Sequence, residues 1–271
     1  MHATRPTITD REFALFQRLI HRLAGISLSD AKRVLLVGRL GRRLDHHGLA
    51  TYGEYYRLLS SGNDPDELQK MVDLLTTNET YFFREPQHFD FLRDLVRREA
   101  VAGSPFRIWS GASSSGEEAY SMAMVLAEHC LQRPWEVFGS DISLTVLAKA
   151  KAGVYSQERI SGIPPACLRK YCLKGVRGQE GKLLIDSGLR QRVSFAQVNL
   201  TQPISGVGSF DVIFLRNVMI YFDLETKRRV IANMLPCLKP GGHFIVGHAE
   251  SLNGLTDGLQ TVRPTIYRKP G

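Results

Sequence analysis

Residues 106–118, Phe-Arg-Ile-Trp-Ser-Gly-Ala-Ser-Ser-Ser-Gly-Glu-Glu, join a short apolar stretch to a loop of small residues and the start of a helix. Arg107–Ser110 is predicted as a strand, and a helix over Glu117–Cys130 follows the loop. A strand that turns directly into a helix is the first unit of a doubly wound α/β fold, where ligands bind beyond the carboxyl ends of the strands. This stretch therefore predicts the fold class and the place of a ligand site.

The alternation of strand and helix continues downstream. Further strands are predicted at Trp135–Ser140, Val193–Val198, Phe210–Leu215, His243–Gly247 and Thr265–Arg268, with helices at Ser143–Ala152 and Leu224–Leu238 and a turn at Lys239–Gly242. Such a pattern indicates a mostly parallel, Rossmann-like sheet. Residues 105–271 are therefore predicted to form one α/β domain.

One interval in this domain is longer than a normal crossover. About 40 residues separate Ala152 from Val193, where two to six is usual. The interval has glycines at regular intervals and two short apolar stretches, Tyr171–Leu173 and Lys182–Ile185. It predicts a small antiparallel β-subdomain inserted at about residues 155–192.

The first 76 residues are predicted to form a separate helical domain. Apolar residues recur there every three or four positions, as in amphipathic helices. The predicted helices run from about Asp10 to Gly25, from a cap at Ser29 or Asp30 to about His47, over Tyr52–Ser60 and over Pro65–Thr76.

The second of these helices carries a basic face. Five residues, Lys32, Arg39, Arg42, Arg43 and His46, are predicted to lie opposite an apolar face formed by Val34, Val37, Leu40, Gly41 and Leu44. Two interpretations stay open: a solvated outer face, or a surface that docks an acidic partner. The absence of acids among the basic residues favours docking, because a face that serves only solubility usually mixes charges.

The loop at residues 111–116, called the first loop below, also indicates the kind of ligand. Its small residues allow close approach to the backbone, but Glu117 stands at the start of the helix. A carboxylate there would repel a pyrophosphate, which prefers bare helix N–H groups. A ligand with a positive sulfonium and an ammonium group would tolerate it, which favours S-adenosylmethionine over NAD.

Polar residues also follow the next three strands. Asp141 ends the second strand, 25 residues after Gly116, where an acid typically receives ribose hydroxyls; a helix-capping role for Asp141 or Ser143 is the alternative. Asn199 is predicted near the adenine edge, and Asn217 where substrate and cofactor meet. Each asparagine alone is more typical of a turn, but four successive polar strand ends indicate a site.

Composition limits the remaining possibilities. The net charge of +8 and a pI near 9.4 favour a partner with a negative surface. The four cysteines contain no CxxC pair, so neither a disulfide framework nor a metal site is expected. With no apolar run long enough for a membrane span and no apolar signal core after Met1, a cytoplasmic protein is expected.

Four strings, at residues 76–85, 109–121, 210–222 and 238–242, resemble bacterial chemotaxis-receptor methyltransferases of the CheR type in order and spacing. The resemblance covers nearly the whole chain. It implies a helical N-terminal domain at 1–76, a linker at 77–104 that contributes to the cofactor site, and a methyltransferase domain with an inserted β-subdomain.

The resemblance also implies site residues. The cofactor contacts carried over from the family are Asn78, Thr80, Arg84, Glu117, Asp141, Asn199, Leu200, Asn217 and Val218. Without it, Asn78 would be interpreted as a helix cap and Tyr81–Phe83 as core. Gly111 departs from the family pattern, which often has alanine there.

The implied reaction is transfer of a methyl group to receptor glutamates, giving methyl esters and S-adenosylhomocysteine. Tyr221 is a candidate for orienting the acceptor or shielding the methyl group, with an aromatic core residue as the alternative. The expected partner is the cytoplasmic domain of a transmembrane chemoreceptor, bound by Lys32, Arg39, Arg42 and Arg43. The β-subdomain is expected to bind the receptor's C-terminal tail by adding a strand.

Two other kinds of function are compatible with parts of the sequence. The basic pI suggests an RNA, small-molecule or other protein methyltransferase, but the basic face lacks the interleaved aromatic residues typical of RNA binding, so no nucleic acid partner is expected. A non-catalytic adaptor that binds S-adenosylmethionine is the alternative from another class. The chain is expected to be a monomer without direct membrane insertion.

Overall fold

A computed structural model describes residues 6–98, 105–131 and 133–271. The chain divides into two compact units. One is helical and comprises the residues through Thr77 together with Tyr221–Thr226; the other comprises Asn78–Ile220 and Lys227–Gly271. Residues 99–104, at the end of the predicted linker, and the first five residues of the predicted helical domain lie outside the described ranges.

The helical unit is built from four amphipathic helices. They are α1 (Asp10–Ala24), α2 (Arg33–His47), α3 (Tyr52–Ser60) and α4 (Pro65–Leu75). Thr9 and Thr51 form capping boxes with the glutamates three residues later. Phe16 packs its ring against Tyr52 and Tyr55 at the centre of the unit. The four predicted helices are confirmed, although α2 begins at Arg33 after a 3₁₀ turn that Ser29 precedes.

The buried face of α2 differs from the predicted one. Leu36, Leu40 and Leu44 are fully buried, whereas Val34 is 82% exposed. The buried arc is centred on Leu40 and Leu44, about 100° of helix rotation from Val34. Since Arg43 lies about 20° from Leu36 on the same wheel, it borders the core rather than facing away from it.

The second unit carries the α/β domain. Its elements in chain order are α5 (Pro86–Arg98), β1 (Phe106–Gly111), α6 (Glu117–His129), β2 (Trp135–Asp141), α7 (Leu144–Ala152), β3 (Val154–Ser156), α8 (Pro165–Tyr171), β4 (Cys172–Lys174), β5 (Lys182–Ile185), α9 (Ser187–Arg190), β6 (Val193–Gln197), β7 (Phe210–Leu215), α10 (Leu224–Met234), β8 (Leu238–Val246), β9 (Gln260–Arg263) and β10 (Ile266–Arg268).

The main sheet has the order β6-β2-β1-β7-β8-β10-β9. The strands from β6 to β8 are parallel, and β10 and β9 are antiparallel at one edge. The strand order reverses at β1, so the loop after β1 lies at the topological switch point, where doubly wound sheets bind ligands. The predicted Rossmann-like fold is confirmed.

The inserted β-subdomain is also confirmed. It forms a separate antiparallel sheet of order β3-β5-β4. Helix α8, which the sequence analysis did not predict, precedes β4 with a proline in its first turn. The residues of the Gly-containing segment 175–181 connect β4 to β5, and Gly175 N donates to Lys182 O at 2.9 Å across the base of this connection.

Three features of the α/β domain differ from the predicted ones. Strand β8 begins at Leu238, so the predicted turn Lys239–Gly242 lies within it, and a register shift against β7 absorbs the irregularity. Strand β9 was not predicted because all four of its residues are exposed and show no alternation. Helix α5 occupies much of the predicted linker. Among the described residues, no helix combines the length and hydropathy needed to cross a bilayer.

Candidate functional site

The loop after β1 is held in a strained, compact conformation. Ala112, Ser114 and Gly116 all have positive φ angles, and Ser113 N donates to Ser140 O at 2.7 Å. At Gly116 (φ 94°) a Cβ would lie 2.8 Å from the Cβ of Ala150, so only glycine fits. The loop therefore lies at the switch point and leads directly into α6.

Glu117, the first residue of α6, is fully buried at the end of this loop. Its Oε2 accepts a hydrogen bond from Ser115 Oγ at 2.6 Å. Its Oε1 accepts none from the part of the chain that the structure describes, although Arg159 Nη2 lies 3.3 Å away. Burial raises the pKa of Glu117, and the Ser115 hydroxyl and the Arg159 charge oppose that rise. The site thus contains a buried carboxylate oxygen that can accept a donor.

Asp141 connects the end of β2 to the first loop. Its Oδ2 accepts from Ser114 N and its Oδ1 from Ser143 N, both at 2.9 Å. The cap of α7 is Ser143, whose hydroxyl accepts from Val146 N, so the helix-capping alternative belongs to Ser143. Asp141 instead fixes the first loop with its carboxylate at the strand end.

The two asparagines play different structural parts. Asn199 Oδ1 accepts from the backbone N and hydroxyl of Thr201, the turn role considered for it. Asn217 has a φ of 57°, and its Nδ2 donates to Glu85 Oε1 at 3.1 Å. The neighbours carried over with them, Leu200 and Val218, are buried and half-buried, respectively.

Glu250 holds the end of β7 in place. Its carboxylate accepts three backbone N–H groups, from Asn217 at 2.7 Å and from Met219 and Gly247 at 2.8 Å. These bonds fix the left-handed conformation of Asn217, which costs about 1–3 kcal/mol in a residue other than glycine. Sequence analysis missed Glu250, although it follows the predicted strand His243–Gly247 as the other polar residues follow theirs.

The segment Asn78–Arg84 lies against the first loop, within the same unit. Ser114 Oγ donates to Asn78 O at 3.0 Å, and Phe83 N donates to Ser121 Oγ at 3.0 Å. Arg159 Nη2 donates to Thr80 O at 3.0 Å. The structure thus brings Asn78 and Thr80 to Glu117, which sequence periodicity gave no reason to expect.

Arg84 and Arg216 organise the other side of this segment. Arg84 donates to Glu79 O and lies over the Tyr81 ring. The buried Arg216 donates to Arg84 O and lies 3.3 Å from Glu85 and 3.4 Å from Glu118. Burial raises the pKa of Glu118, and the Arg216 charge counteracts it.

Glu85, His88 and His248 bring possible metal-ligand atoms within 4.8 Å of one another. The guanidinium of Arg216 already lies 3.3 Å from Glu85 Oε2, the oxygen that faces both histidines. Burial lowers the pKa of His88 to about 4, which keeps this ring neutral. The Arg216 guanidinium therefore places a positive charge at this cluster.

In the helical unit, the predicted basic face has two kinds of member. Lys32 and Arg42 are exposed. Arg43 donates to both carboxylate oxygens of the fully buried Glu67, and Arg39 donates to Leu74 O and Thr76 O, at the end of α4. No acid lies among the basic residues of this face on α2 itself, but Glu67 of α4 meets Arg43 there.

Tyr221 belongs to the helical unit. Its backbone O accepts from Ser27 N at 2.8 Å, its side chain is half-buried, and it lies within electrostatic range of Arg39. It follows Val218 by three residues in a short 3₁₀ helix, Met219–Tyr221.

Comparisons with known proteins show which family this chain belongs to. The family described as "CheR methyltransferase, all-alpha domain" matches residues 11–76, and "CheR methyltransferase, SAM binding domain" matches residues 78–268. The chemotaxis protein methyltransferase of Escherichia coli (strain K12) is 40% identical over 97% of this chain and 92% of its own length. Chemotaxis protein methyltransferase 2 of Pseudomonas aeruginosa is 40% identical over 96% and 93%.

Among solved structures, the N-methyltransferase NodS from Bradyrhizobium japonicum WM9 in complex with S-adenosyl-L-homocysteine matches 77% of this chain and all of its own. The TM-score is 0.43 and the sequence identity 18%.

Proposed function

Because this chain belongs to the CheR methyltransferase family, we propose that it methylates glutamate side chains of chemotaxis receptors. It is an S-adenosylmethionine-dependent methyltransferase of chemotaxis, with both family domains present and S-adenosylhomocysteine as product. The proposal adds the acceptor atom, a glutamate carboxylate oxygen, and the receptor that carries it.

The observation that supports the cofactor site most directly is the buried Glu117 carboxylate with a free acceptor oxygen, Oε1. An ammonium group is a donor of the right charge for it, and the first loop beside it consists of small residues. Asp141, at the next strand end, suits ribose hydroxyls. The proposed contacts are Asn78, Thr80, Arg84, Glu117, Asp141, Asn199, Leu200, Asn217 and Val218.

S-adenosylmethionine supplies an electrophilic methyl group when bound. The acceptor needs no general base, because a glutamate has a pKa near 4.3 and is ionised at neutral pH. The protein's task is then to align the acceptor oxygen with the methyl group and to exclude water. The sequence after β7 fits this task, since Arg216-Asn217-Val218-Met219 replaces the Pro-Pro-Tyr string by which amide and adenine methyltransferases hold a planar nitrogen.

Tyr221 is proposed to orient the acceptor carboxylate through its hydroxyl. Replacing Tyr221 with phenylalanine should lower kcat while leaving the Kd for S-adenosylhomocysteine unchanged. Steady-state kinetics and calorimetry check this, and an unchanged kcat would remove Tyr221 from the reaction.

Receptor binding is proposed at the basic face of α2. The exposed Lys32 and Arg42 are free to meet acidic side chains of a helical receptor domain. Arg39 and Arg43 belong to the same proposed face, but their guanidinium groups connect α2 to α4, and the charge of Arg43 is paired with Glu67. The cytoplasmic placement of the receptor domain makes the cytoplasm the proposed location.

The β-subdomain is proposed to bind the receptor's C-terminal tail by strand addition at β4. This strand is an edge of its sheet, and two apolar side chains stand exposed beside it, Leu173 (54%) and Val176 (66%). Main-chain bonds along an edge and pockets for alternate side chains are the usual basis of such binding.

Calorimetric titration with a receptor-tail peptide tests the proposed strand addition at β4. Leu173→Lys should weaken binding at least several-fold, whereas the same change at the exposed Leu131, outside the subdomain, should leave it unchanged. Absence of measurable binding to the wild-type chain would reject tail binding.

The acceptor is tested by incubating the protein with methyl-labelled S-adenosylmethionine and receptor cytoplasmic domains. Label that mild base releases as methanol indicates a glutamyl ester. Base-stable label would indicate N-methylation, and absence of transfer despite cofactor binding would indicate an adaptor; either result contradicts the proposal.

A further inference from the structure

Arg159 is the nearest positive charge to the free oxygen of Glu117. It lies in the 3₁₀ turn that follows β3, at the start of the β-subdomain. Its Nη2 lies 3.3 Å from Glu117 Oε1, without the geometry of a hydrogen bond. In the absence of a ligand, this guanidinium is therefore the counter-ion of a carboxylate that is otherwise buried.

The pairing is easily broken from the arginine side. The Arg159 side chain is 43% exposed, and the hydrogen bond recorded for it joins Nη2 to Thr80 O. A partly exposed guanidinium can return to water without leaving its own charge buried, so the cost of breaking the contact falls mainly on Glu117. Glu117 has no such freedom, since its side chain is fully buried and Ser115 holds its other oxygen.

We propose that Arg159 is an internal counter-ion that the cofactor's ammonium group replaces at Glu117. Arg159 thereby lowers the affinity of the site for ligands that carry this ammonium. A guanidinium and an ammonium group at the same carboxylate oxygen repel each other, and the partly exposed Arg159 can move into water when the ligand binds. The inference rests on the proposed contact between Glu117 and the cofactor.

The exchange also links the ligand to the β-subdomain. When Arg159 leaves Glu117, the Glu117 carboxylate no longer holds the guanidinium in place for its hydrogen bond to Thr80 O. This hydrogen bond joins the turn 157–159 to the segment Asn78–Arg84, so the loss of the ion pair weakens that connection. Occupancy of the cofactor site is thus coupled to the first turn of the β-subdomain.

The test compares two ligands by calorimetry. S-adenosylhomocysteine carries the ammonium, and 5′-methylthioadenosine lacks the whole amino-acid portion. Arg159→Gln should bind S-adenosylhomocysteine about two- to five-fold more tightly than the wild type, the range expected from losing a weak competing ion pair. Its affinity for 5′-methylthioadenosine should not change.

Two further variants complete the design. Arg169→Gln removes an exposed charge from α8, in the same subdomain, and should bind both ligands as the wild type does. Glu117→Gln should lower the affinity for S-adenosylhomocysteine but not that for 5′-methylthioadenosine. The double variant with Arg159→Gln should bind both ligands as Glu117→Gln does.

The outcomes separate two failures. If Glu117→Gln lowers the affinity for S-adenosylhomocysteine but Arg159→Gln does not raise it, the counter-ion inference is wrong and the proposed contact survives. Weaker binding by Arg159→Gln would show that Arg159 holds the ligand's carboxylate instead. If Glu117→Gln affects both ligands equally or neither, the contact itself is wrong and the inference falls with it.

Discussion

At the scale of single residues, the site depends on one carboxylate that the fold does not fully satisfy. Glu117 is buried, bonded through one oxygen and open at the other. Burial is the main cause of its raised pKa, so keeping it ionised at neutral pH costs the ligand-free protein free energy. The proposed binding of the cofactor's ammonium group would recover that free energy.

Replacing Glu117 with glutamine should therefore stabilise the ligand-free protein by about 1 kcal/mol at neutral pH. Because the folded-state pKa is raised, the gain is absent in acid, where Glu117 is protonated, and appears as the pH rises through that pKa. The same variant should bind S-adenosylhomocysteine at least about ten-fold more weakly, since it loses a charge-assisted hydrogen bond.

Urea unfolding at several pH values and calorimetry measure the two effects. Glu225→Gln, at an exposed acid on α10, is the control and should change neither. A Glu117→Gln variant that is less stable, or that binds the product as tightly as the wild type does, would contradict this account of the site.

Among the proposed site residues, those that the sequence suggests by itself share a kind of position on the fold. Glu117, Asp141 and Asn217 end strands or begin helices, and polar residues at such places stand out against apolar strands. The same rule, applied after the strand at His243–Gly247, would have found Glu250. Arg159 was not predictable, because it lies in an inserted segment where no periodicity connects it to Glu117.

At the scale of elements, α2 shows how tertiary contacts modify a pattern on a helical wheel. The wheel placed the apolar face wrongly, since Val34 is exposed and Leu36 is buried. It also could not show that α4 brings Glu67 to Arg43. Burial raises the pKa of Glu67, yet hydrogen bonds from its three donors outweigh it and lower the pKa to about 2. The pair therefore fixes α2 against α4.

Replacing Arg43 with alanine should destabilise the helical unit by about 3 kcal/mol, because it leaves a buried carboxylate without its main partner. Arg42→Ala, at the exposed neighbouring position, should change stability by less than about 0.5 kcal/mol. The free energy of unfolding in urea, followed by helical circular dichroism, gives both values.

The pH dependence of this effect has a definite sign. The folded-state pKa of Glu67 is lowered, so the pair stabilises the fold above the ordinary pKa of a glutamate and this stabilisation is lost as the pH falls towards about 2. The penalty of Arg43→Ala should accordingly shrink in acid. A penalty that is constant down to pH 2, or equal for Arg42→Ala, would contradict the assignment.

The strands and helices of the α/β domain were largely predictable because its parallel strands are buried, apolar and separated by helices. Each element that was not predicted, or was predicted with other bounds, has a physical reason for the difference. Strand β9 is exposed along its length, β8 continues through a Pro-Gly-Gly stretch that is typical of a turn, and α8 is a short helix between two strands of the insertion.

At the scale of the whole molecule, the exposed positive charges on α2 are proposed to attract an acidic receptor. Reversing Lys32 and Arg42 to glutamate should reduce the rate of receptor methylation at least about ten-fold while leaving the Kd for S-adenosylhomocysteine unchanged. Long-range attraction is screened by salt, so the wild-type rate should fall as salt rises and that of the variant should not.

Reversing Arg18 and Arg22, two exposed arginines of α1, makes the same change of net charge elsewhere on that unit and is the control. An equal loss of rate in both double variants would show that total charge matters and that the basic face of α2 has no special part.

The central claim is that this chain methylates receptor glutamates. It is tested most directly by incubating the wild-type protein with S-adenosylmethionine and a purified receptor cytoplasmic domain, then mapping the modified residue by tandem mass spectrometry. The account predicts one methyl group on the side-chain carboxylate of glutamate, removed by mild base and absent when those glutamates are replaced by alanine. Methylation of lysine, arginine or another nitrogen, or label that survives base, would contradict it.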